Sequence, residues 1–263
     1  MDKQSNIQGT GENGQSSGGI KRRRKLPAPS FNPSKATESS ANDPSLHQGR
    51  KRARPHVDGD WPTHIYISIN FQAKTMEFLR KIVKELAQDD HSKVWHLLTE
   101  GTPSDSSLHL SLSRPAFLKT DERDNFIEEL KKVVKGIKLF EVYFSNFSTL
   151  VNDEGTRAFL ALEVGSGHSL LCNLLKQIDK IFELFCQNKY YENPRFHVSI
   201  AWCLLEQEKV SQGTSTDEVI SKSFIQSINS SKLDYIRNMS WKIDCFNVVI
   251  GKTTHKIVFD ELN

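Results

Sequence analysis

Cysteine is scarce in this sequence of 263 residues: there are four, and none forms a Cys-x-x-Cys pair. The spacing therefore excludes a zinc-finger ligand set and gives no sign of a secreted disulfide framework. Long apolar runs are also missing, since no stretch reaches the roughly 18 apolar residues of a membrane span. The first residues, 1–5, lead into no apolar stretch of the signal-peptide type. We therefore expect a reducing compartment, nucleus or cytosol, and no membrane partner.

Apolar and aromatic residues are sparse in the first 60 positions, where 11 residues are hydrophobic and Phe31 is the sole aromatic. The same segment holds 11 basic and 6 acidic residues, whereas residues 61–263 hold 24 and 26. A segment of this composition cannot bury enough apolar surface to offset the entropy of ordering it. The sequence predicts a disordered basic tail over 1–60 and a nearly neutral globular domain over 61–263.

Two basic clusters stand in the tail, at residues 21–25 and 50–55. Such clusters are typical of nuclear-import signals and of sequence-independent RNA contacts, and a plain solvated charge run is the competing interpretation. The excess positive charge of the chain lies in this tail.

From Trp61 onward the sequence shows regular periodicity. Alternating apolar residues predict strands at 63–69, 94–99, 107–113, 139–147, 157–164, 195–203, 241–250 and 256–260. Helical spacing predicts helices over 76–88, after an N-cap at Thr120, over 171–185 and over 217–229. The order of these elements indicates an α+β fold with antiparallel pairing.

Two of the predicted strands carry the same pattern, an apolar residue, His, an apolar residue, Ser and an apolar residue. The first copy contains His109 and Ser111, and the second contains His197 and Ser199. Because side chains alternate along a strand, each copy presents His and Ser together on the face opposite its apolar residues. The two side chains of one copy are then about 7 Å apart along the strand, a separation suited to gripping one phosphate.

A single His-x-Ser pattern is expected by chance in a chain with nine histidines, but two copies in matching strands favour a shared role. Neither His has a second metal-binding residue two positions along its own face, which disfavours a metal site. Two imidazoles facing each other suit RNA transesterification, in which one takes the proton of a ribose 2′-OH and the other protonates the leaving 5′-oxygen. The Ser hydroxyls would hydrogen-bond the non-bridging phosphate oxygens.

Paired His-x-Ser motifs of this kind resemble the two-histidine (2H) phosphoesterase superfamily. The closer resemblance is to the branch that trims the 3′ end of U6 small nuclear RNA. It is carried by residues 61–66, 108–113, 159–168 and 191–203, above all by His-Leu-Ser-Leu-Ser and Phe-His-Val-Ser-Ile-Ala-Trp.

The resemblance implies a bilobal α+β fold, with two pseudo-symmetric antiparallel sheets lining a central cleft and helices outside. It implies a nuclear, monomeric, metal-independent 3′→5′ exoribonuclease that needs no cofactor, binds the oligouridine 3′ end of its RNA, and leaves a 2′,3′-cyclic phosphate or a 3′-phosphate. Carried over by position, His109 and His197 are the catalytic pair, and Ser111 and Ser199 bind phosphate. Tyr191 matches the position whose ring stacks on the terminal base.

Several interpretations stay open at this point. Apart from the resemblance, Tyr191 is either a residue that stacks on a base or an aromatic residue of the core. His168 follows a Gly-Ser-Gly turn and is either a phosphate ligand or part of a helix cap. His64 and Tyr66 face away from the first strand's isoleucines and could line the cleft. A cyclic phosphodiesterase, an RNA-end ligase and a non-catalytic RNA-binding scaffold are the alternatives to the exoribonuclease.

Overall fold

The computed structural model describes residues 57–98, 107–205 and 219–259. Within these residues the strands are β1 (Asp60–Asn70), β2 (His96–Leu97), β3 (Ser107–Ser111), β4 (Ala116–Lys119), β5 (Phe140–Val142), β6 (Phe144–Val151), β7 (Arg157–Val164), β8 (His197–Leu204), β9 (Trp241–Ile243), β10 (Cys245–Ile250) and β11 (Thr253–Val258). The helices are α1 (Ala73–Asp89), α2 (Arg123–Val133), α3 (His168–Leu184), α4 (Lys222–Ser231) and α5 (Asp234–Arg237).

One antiparallel sheet organises the described part of the chain. Its strand order is β11-β10-β1-β3-β8-β7-β6, with β4 paired to β1 and β2 paired to β8, while β5 and β9 form a separate two-stranded sheet. The α+β class and the antiparallel pairing predicted from the sequence are confirmed. The two sheets expected from the resemblance are the two halves of this one sheet, because β3 and β8 join them through the single pair Leu110 and Val198.

The helices bury the apolar stripes that the sequence periodicity predicts. In α1 the stripe from Met76 to Leu86 is buried, and in α3 the stripe from Leu171 to Phe182 is buried. These residues and the inward side chains of the large sheet form one hydrophobic core. Because the core covers one face of the sheet, the polar alternate positions of the strands lie on the other face. None of the helices in the described ranges is long and apolar enough to cross a bilayer.

The predicted N-cap of α2 is wrong. The helix begins at Arg123 with Glu122 at the N-cap position. The Thr120 hydroxyl accepts a hydrogen bond from Trp61 Nε1 at 3.0 Å and donates to the carbonyl oxygen of Gly59. Thr120 is therefore engaged by the start of β1, a contact between residues about 60 positions apart that local periodicity does not reveal.

Other element predictions differ in their bounds. The segment predicted as one strand over 139–147 is divided at Tyr143 into β5 and β6, and the short elements β4 and α5 were not predicted. The predicted tail over 1–60 lies outside the described residues, apart from 57–60. The ends of three predicted elements also lie outside them: Thr99 of the strand 94–99, residues 217–218 of the helix 217–229, and residue 260 of the strand 256–260.

Gly167 holds the turn that starts α3, and its replacement is expected to destabilise the protein. Its φ is +89°, and an added Cβ would lie 2.6 Å from the carbonyl oxygen of Glu141. We expect Gly167→Ala to lower the free energy of unfolding by about 2 to 4 kcal/mol. The alanine would be strained in the left-handed conformation, and its Cβ would overlap the backbone of the neighbouring strand. Gly136→Ala is the matched control: its φ is +80°, but nothing lies within 4 Å of the added Cβ. Chemical denaturation of both variants measures the difference, and equal destabilisation would contradict the overlap.

Candidate active site

The two predicted His-x-Ser motifs meet where the halves of the sheet join. Leu110 lies between His109 and Ser111, Val198 lies between His197 and Ser199, and the Leu110 and Val198 backbones pair directly. Both apolar side chains are fully buried. The four polar side chains are therefore on the opposite face, side by side on adjacent strands.

Antiparallel pairing relates the motifs by a local two-fold axis. Continuing the register from the Leu110 and Val198 pair puts His109 opposite Ser199 and Ser111 opposite His197. The two histidines then occupy diagonal positions about 7 to 8 Å apart. Each motif therefore contributes one His and one Ser to the same small patch, and each His faces the other motif's Ser.

His197 has a fixed ring orientation. Its Nδ1 lies 2.6 Å from the carbonyl oxygen of Arg195, which can only accept a hydrogen bond. Nδ1 therefore carries the proton, and in the neutral ring Nε2 is the unprotonated nitrogen. Burial lowers the pKa of His197, and this effect outweighs the opposing influences of the hydrogen bond to Arg195 and the Glu163 carboxylate, which raise it.

His109 is coupled to two other histidines. The protein atoms around its ring desolvate it and lower its pKa, and the positive charges of His64 and His197 lower it further. Its ring contacts the edge of Tyr66, with 5.8 Å between centroids. The charge coupling with His197 places both motif histidines within electrostatic reach of one bound group. A low pKa keeps an imidazole neutral near pH 7, the form that accepts a proton.

The motif serines are available for a ligand. Among the described residues, neither the Ser111 nor the Ser199 hydroxyl takes part in a hydrogen bond. Both side chains are half-buried on the polar face. The described part of the chain contains no group of three or more His, Cys, Asp or Glu arranged to hold a metal ion.

An ion pair beside His197 was not predicted from the sequence. Glu163 on β7 is directly opposite His197 and pairs with the guanidinium of Arg195. Partial burial is the largest single influence and raises the pKa of Glu163, but the hydrogen bond from Arg195 and the positive charges of Arg195 and His197 together act in the opposite direction and keep the pKa below its usual value. The carboxylate is therefore charged at neutral pH and stabilises the protonated form of His197. The sequence signal that could have identified this ion pair is the single Glu among the apolar residues of the predicted 157–164 strand.

Tyr191 is at the surface, and its ring is held by two charged residues. The side chain is 44% exposed, and its hydroxyl donates to the Asp153 carboxylate at 3.0 Å. The Arg114 guanidinium lies over the ring, 5.1 Å from its centroid, and also pairs with Asp153. The neighbouring Tyr190 is buried. The structure therefore favours an exposed aromatic over a core residue at Tyr191.

The structure favours neither open interpretation of His168. Gly167 is at the N-cap of α3 and no side chain caps the helix, while the ring nitrogens of His168 contact other protein atoms. His168 is the first residue of α3, and its Nε2 lies 2.9 Å from the carbonyl oxygen of Pro194. Its Nδ1 lies 3.5 Å from Cys172 Sγ. Both ring nitrogens are engaged by protein, so His168 anchors the segment that leads to Arg195 and His197.

Comparison with known proteins finds relatives of this chain both in sequence and in fold. The HVSL family model, described as an uncharacterised conserved protein, matches residues 25–258. U6 snRNA phosphodiesterase 1 of Homo sapiens is 31% identical over 200 residues, which cover 75% of this chain and 72% of the relative. The Bos taurus protein of the same name is 29% identical over 182 residues, covering 69% of this chain and 65% of its own length.

A solved structure shares the fold. Kluyveromyces marxianus Usb1, solved with uridine monophosphate, superposes with a TM-score of 0.58 at 16% identity, covering 75% of this chain and 98% of that one.

Proposed function

Because this chain belongs to the HVSL family and to the family of U6 snRNA phosphodiesterase 1, we propose that it is a 3′→5′ exoribonuclease that trims the oligouridine 3′ end of U6 small nuclear RNA. His109 and His197 are the catalytic residues. Ser111 and Ser199 bind the scissile phosphate, and Tyr191 stacks on the terminal base.

The meeting of the two motifs is the observation that carries the proposal. Two His-x-Ser strands, 88 residues apart in the sequence, are adjacent at the Leu110 and Val198 pair. Their histidines are close enough for the charge of one to lower the pKa of the other. A binding surface without catalysis needs no such pair, whereas proton transfer to and from a phosphodiester needs two groups that titrate near neutral pH.

The reaction follows from this arrangement. One neutral imidazole takes the proton from the 2′-OH of the penultimate ribose, and the 2′-oxygen attacks the adjacent phosphorus. The bond from phosphorus to the 5′-oxygen of the terminal nucleotide breaks, and the other, protonated imidazole gives its proton to that oxygen. The products are a nucleoside and a shortened RNA ending in a 2′,3′-cyclic phosphate. Each proton transfer is worth about 10²- to 10⁴-fold in rate.

The serines and Tyr191 complete the proposed site. The hydroxyls of Ser111 and Ser199 donate hydrogen bonds to the non-bridging oxygens, where negative charge grows in the transition state. The exposed ring of Tyr191 offers a sequence-tolerant stacking surface worth about 1 to 3 kcal/mol per base. Because the histidines supply both proton transfers, the proposed reaction needs no metal ion. A monomer contains all of these groups.

The experiment that tests the proposal gives the protein two substrates side by side in EDTA. One is an RNA with an oligouridine 3′ end, and the other is uridine 2′,3′-cyclic phosphate. We expect stepwise shortening of the RNA. Turnover of the cyclic nucleotide alone would favour a cyclic phosphodiesterase, joining of RNA ends a ligase, and stoichiometric binding without product a scaffold. Comparison of nuclear and cytosolic fractions tests the proposed nuclear location.

Neutralising Glu163 is expected to change the pH dependence of the reaction. The Glu163 carboxylate raises the pKa of His197, so Glu163→Gln lets that pKa fall. One limb of the bell-shaped profile of kcat/KM should move to lower pH, and by more than the other limb moves. Glu77→Gln, on the exposed face of α1, is the control and should leave both limbs unchanged. A limb that moves to higher pH in Glu163→Gln would contradict the assigned role.

A further inference from the structure

The polar face of the sheet continues beyond the His-x-Ser motifs into the first half. Tyr66 on β1 is directly opposite Ser111, Asn247 on β10 is opposite Tyr66, and Lys256 on β11 is opposite Asn247. Residues directly opposite each other in an antiparallel pair point to the same face. These three side chains therefore lead from Ser111 to the outer strand, over about 14 Å.

An aromatic platform adjoins this row. His64, two residues before Tyr66 and on the same face of β1, stacks on the Tyr66 ring with 5.4 Å between centroids and 19° between planes. His64 is exposed and Tyr66 is half-buried. The Tyr66 ring in turn contacts His109. Because His64 is exposed, a planar base can continue the stack on the side of the ring away from Tyr66.

The remaining side chains of the row suit the rest of a nucleotide. The Asn247 amide is oriented by donating from Nδ2 to the Ser68 hydroxyl at 2.9 Å, which leaves its Oδ1 oxygen and second N–H for a ligand. Lys256 is exposed at the outer strand and carries a positive charge. Stacking rings beside a cation are the combination that binds single-stranded nucleic acid.

We propose that His64, Tyr66, Asn247 and Lys256 form a second nucleotide subsite, which binds the penultimate nucleotide of a single-stranded RNA. This inference rests on the proposed function. The penultimate nucleotide supplies the attacking 2′-OH, and the terminal one is the leaving group. Since Tyr191 precedes β8, in the second half, the nucleotide on the other side of the scissile phosphate lies in the first half. Its base stacks on His64, and Lys256 binds the phosphate on its 5′ side.

The stacking step is tested with two RNAs that differ only at the penultimate position, which carries either uracil or an abasic ribose. His64→Leu removes the stacking ring, and His64→Phe keeps a ring, while both remove the charge that acts on His109. On the uracil RNA we expect His64→Leu to lower kcat/KM about 10- to 100-fold relative to His64→Phe. On the abasic RNA the two variants should have equal kcat/KM. Tyr143→Leu, a half-buried tyrosine outside the row, is the control and should behave as the unaltered protein.

The phosphate contact is tested by the salt dependence of RNA binding, measured with a non-cleavable RNA. Lys256→Gln should weaken binding and reduce the slope of log K against log salt by about 0.7, the value for one phosphate on a single strand. Lys84→Gln, on the exposed face of α1, should leave the slope unchanged.

Three results separate the failure of the subsite from the failure of the proposed function. If the unaltered protein shortens the RNA but His64→Leu and His64→Phe have equal kcat/KM on the uracil RNA, the subsite is wrong and the function stands. If kcat/KM of His64→Leu is lower than that of His64→Phe by the same factor on both RNAs, the ring acts on the catalytic pair and the subsite is again wrong. If the unaltered protein shortens neither RNA, the proposed function fails, and the subsite with it.

Discussion

Replacement of either His109 or His197 by alanine is expected to lower the rate of RNA shortening by about 10²- to 10⁴-fold. Each variant removes one of the two proton transfers, and the reaction needs both in one turnover. The double variant should be little slower than either single variant, because groups that act as a unit are not additive. Single-turnover rates on an oligouridine-ended RNA in EDTA measure the effect.

The control for this prediction is a histidine outside the site. His91 is exposed in the loop after α1, and His91→Ala should keep the full rate. Thermal unfolding of all variants shows whether the fold is retained. If either His109→Ala or His197→Ala, correctly folded, shortens the RNA at the rate of the unaltered protein, the assignment of the catalytic pair is wrong.

Removal of the Ser111 or Ser199 hydroxyl is expected to lower kcat about 10²- to 10³-fold, with a smaller change in KM. Each hydroxyl donates to an oxygen whose charge grows in the transition state, so its loss affects the chemical step more than substrate binding. The local two-fold axis gives the two serines equivalent positions, so kcat should fall by a similar factor in both alanine variants. Ser111→Thr and Ser199→Thr retain a hydroxyl and should recover part of the rate.

Steady-state kinetics of these serine variants test the prediction. Ser169→Ala, on the exposed first turn of α3, serves as the control. Variants that raise KM with kcat unchanged would mean that the serines bind the substrate and its transition state equally, contrary to the role proposed for them.

The parts of the fold that local periodicity determines could be predicted from the sequence. The strand carrying His197 and the apolar stripe of α3 follow from alternation and helical spacing. The shared face of His109 and Ser111 follows from the same alternation. The sequence also indicates two equivalent motifs, because both have the same five-residue pattern.

Features that depend on strand register could not be predicted. Nothing local places Leu110 opposite Val198, or Glu163 opposite His197, because pairing partners far apart in sequence are chosen by the whole sheet. The cap predicted at Thr120 is wrong for the same reason, since its hydroxyl contacts Trp61, a residue far away in the sequence. The structure therefore shows which residues neighbour each predicted site residue. These neighbours set the tautomer of His197 and the charge around it.

The most direct test of the account is the mass of the product formed by the unaltered protein in EDTA from two RNAs, one with a 2′-hydroxyl and one with a 2′-hydrogen at the penultimate ribose. We predict that the first RNA loses its terminal nucleoside and keeps the phosphate as a 2′,3′-cyclic end, and that the second RNA stays intact. Shortening of both RNAs at the same rate, or loss of all shortening in EDTA, would contradict a two-histidine transesterification.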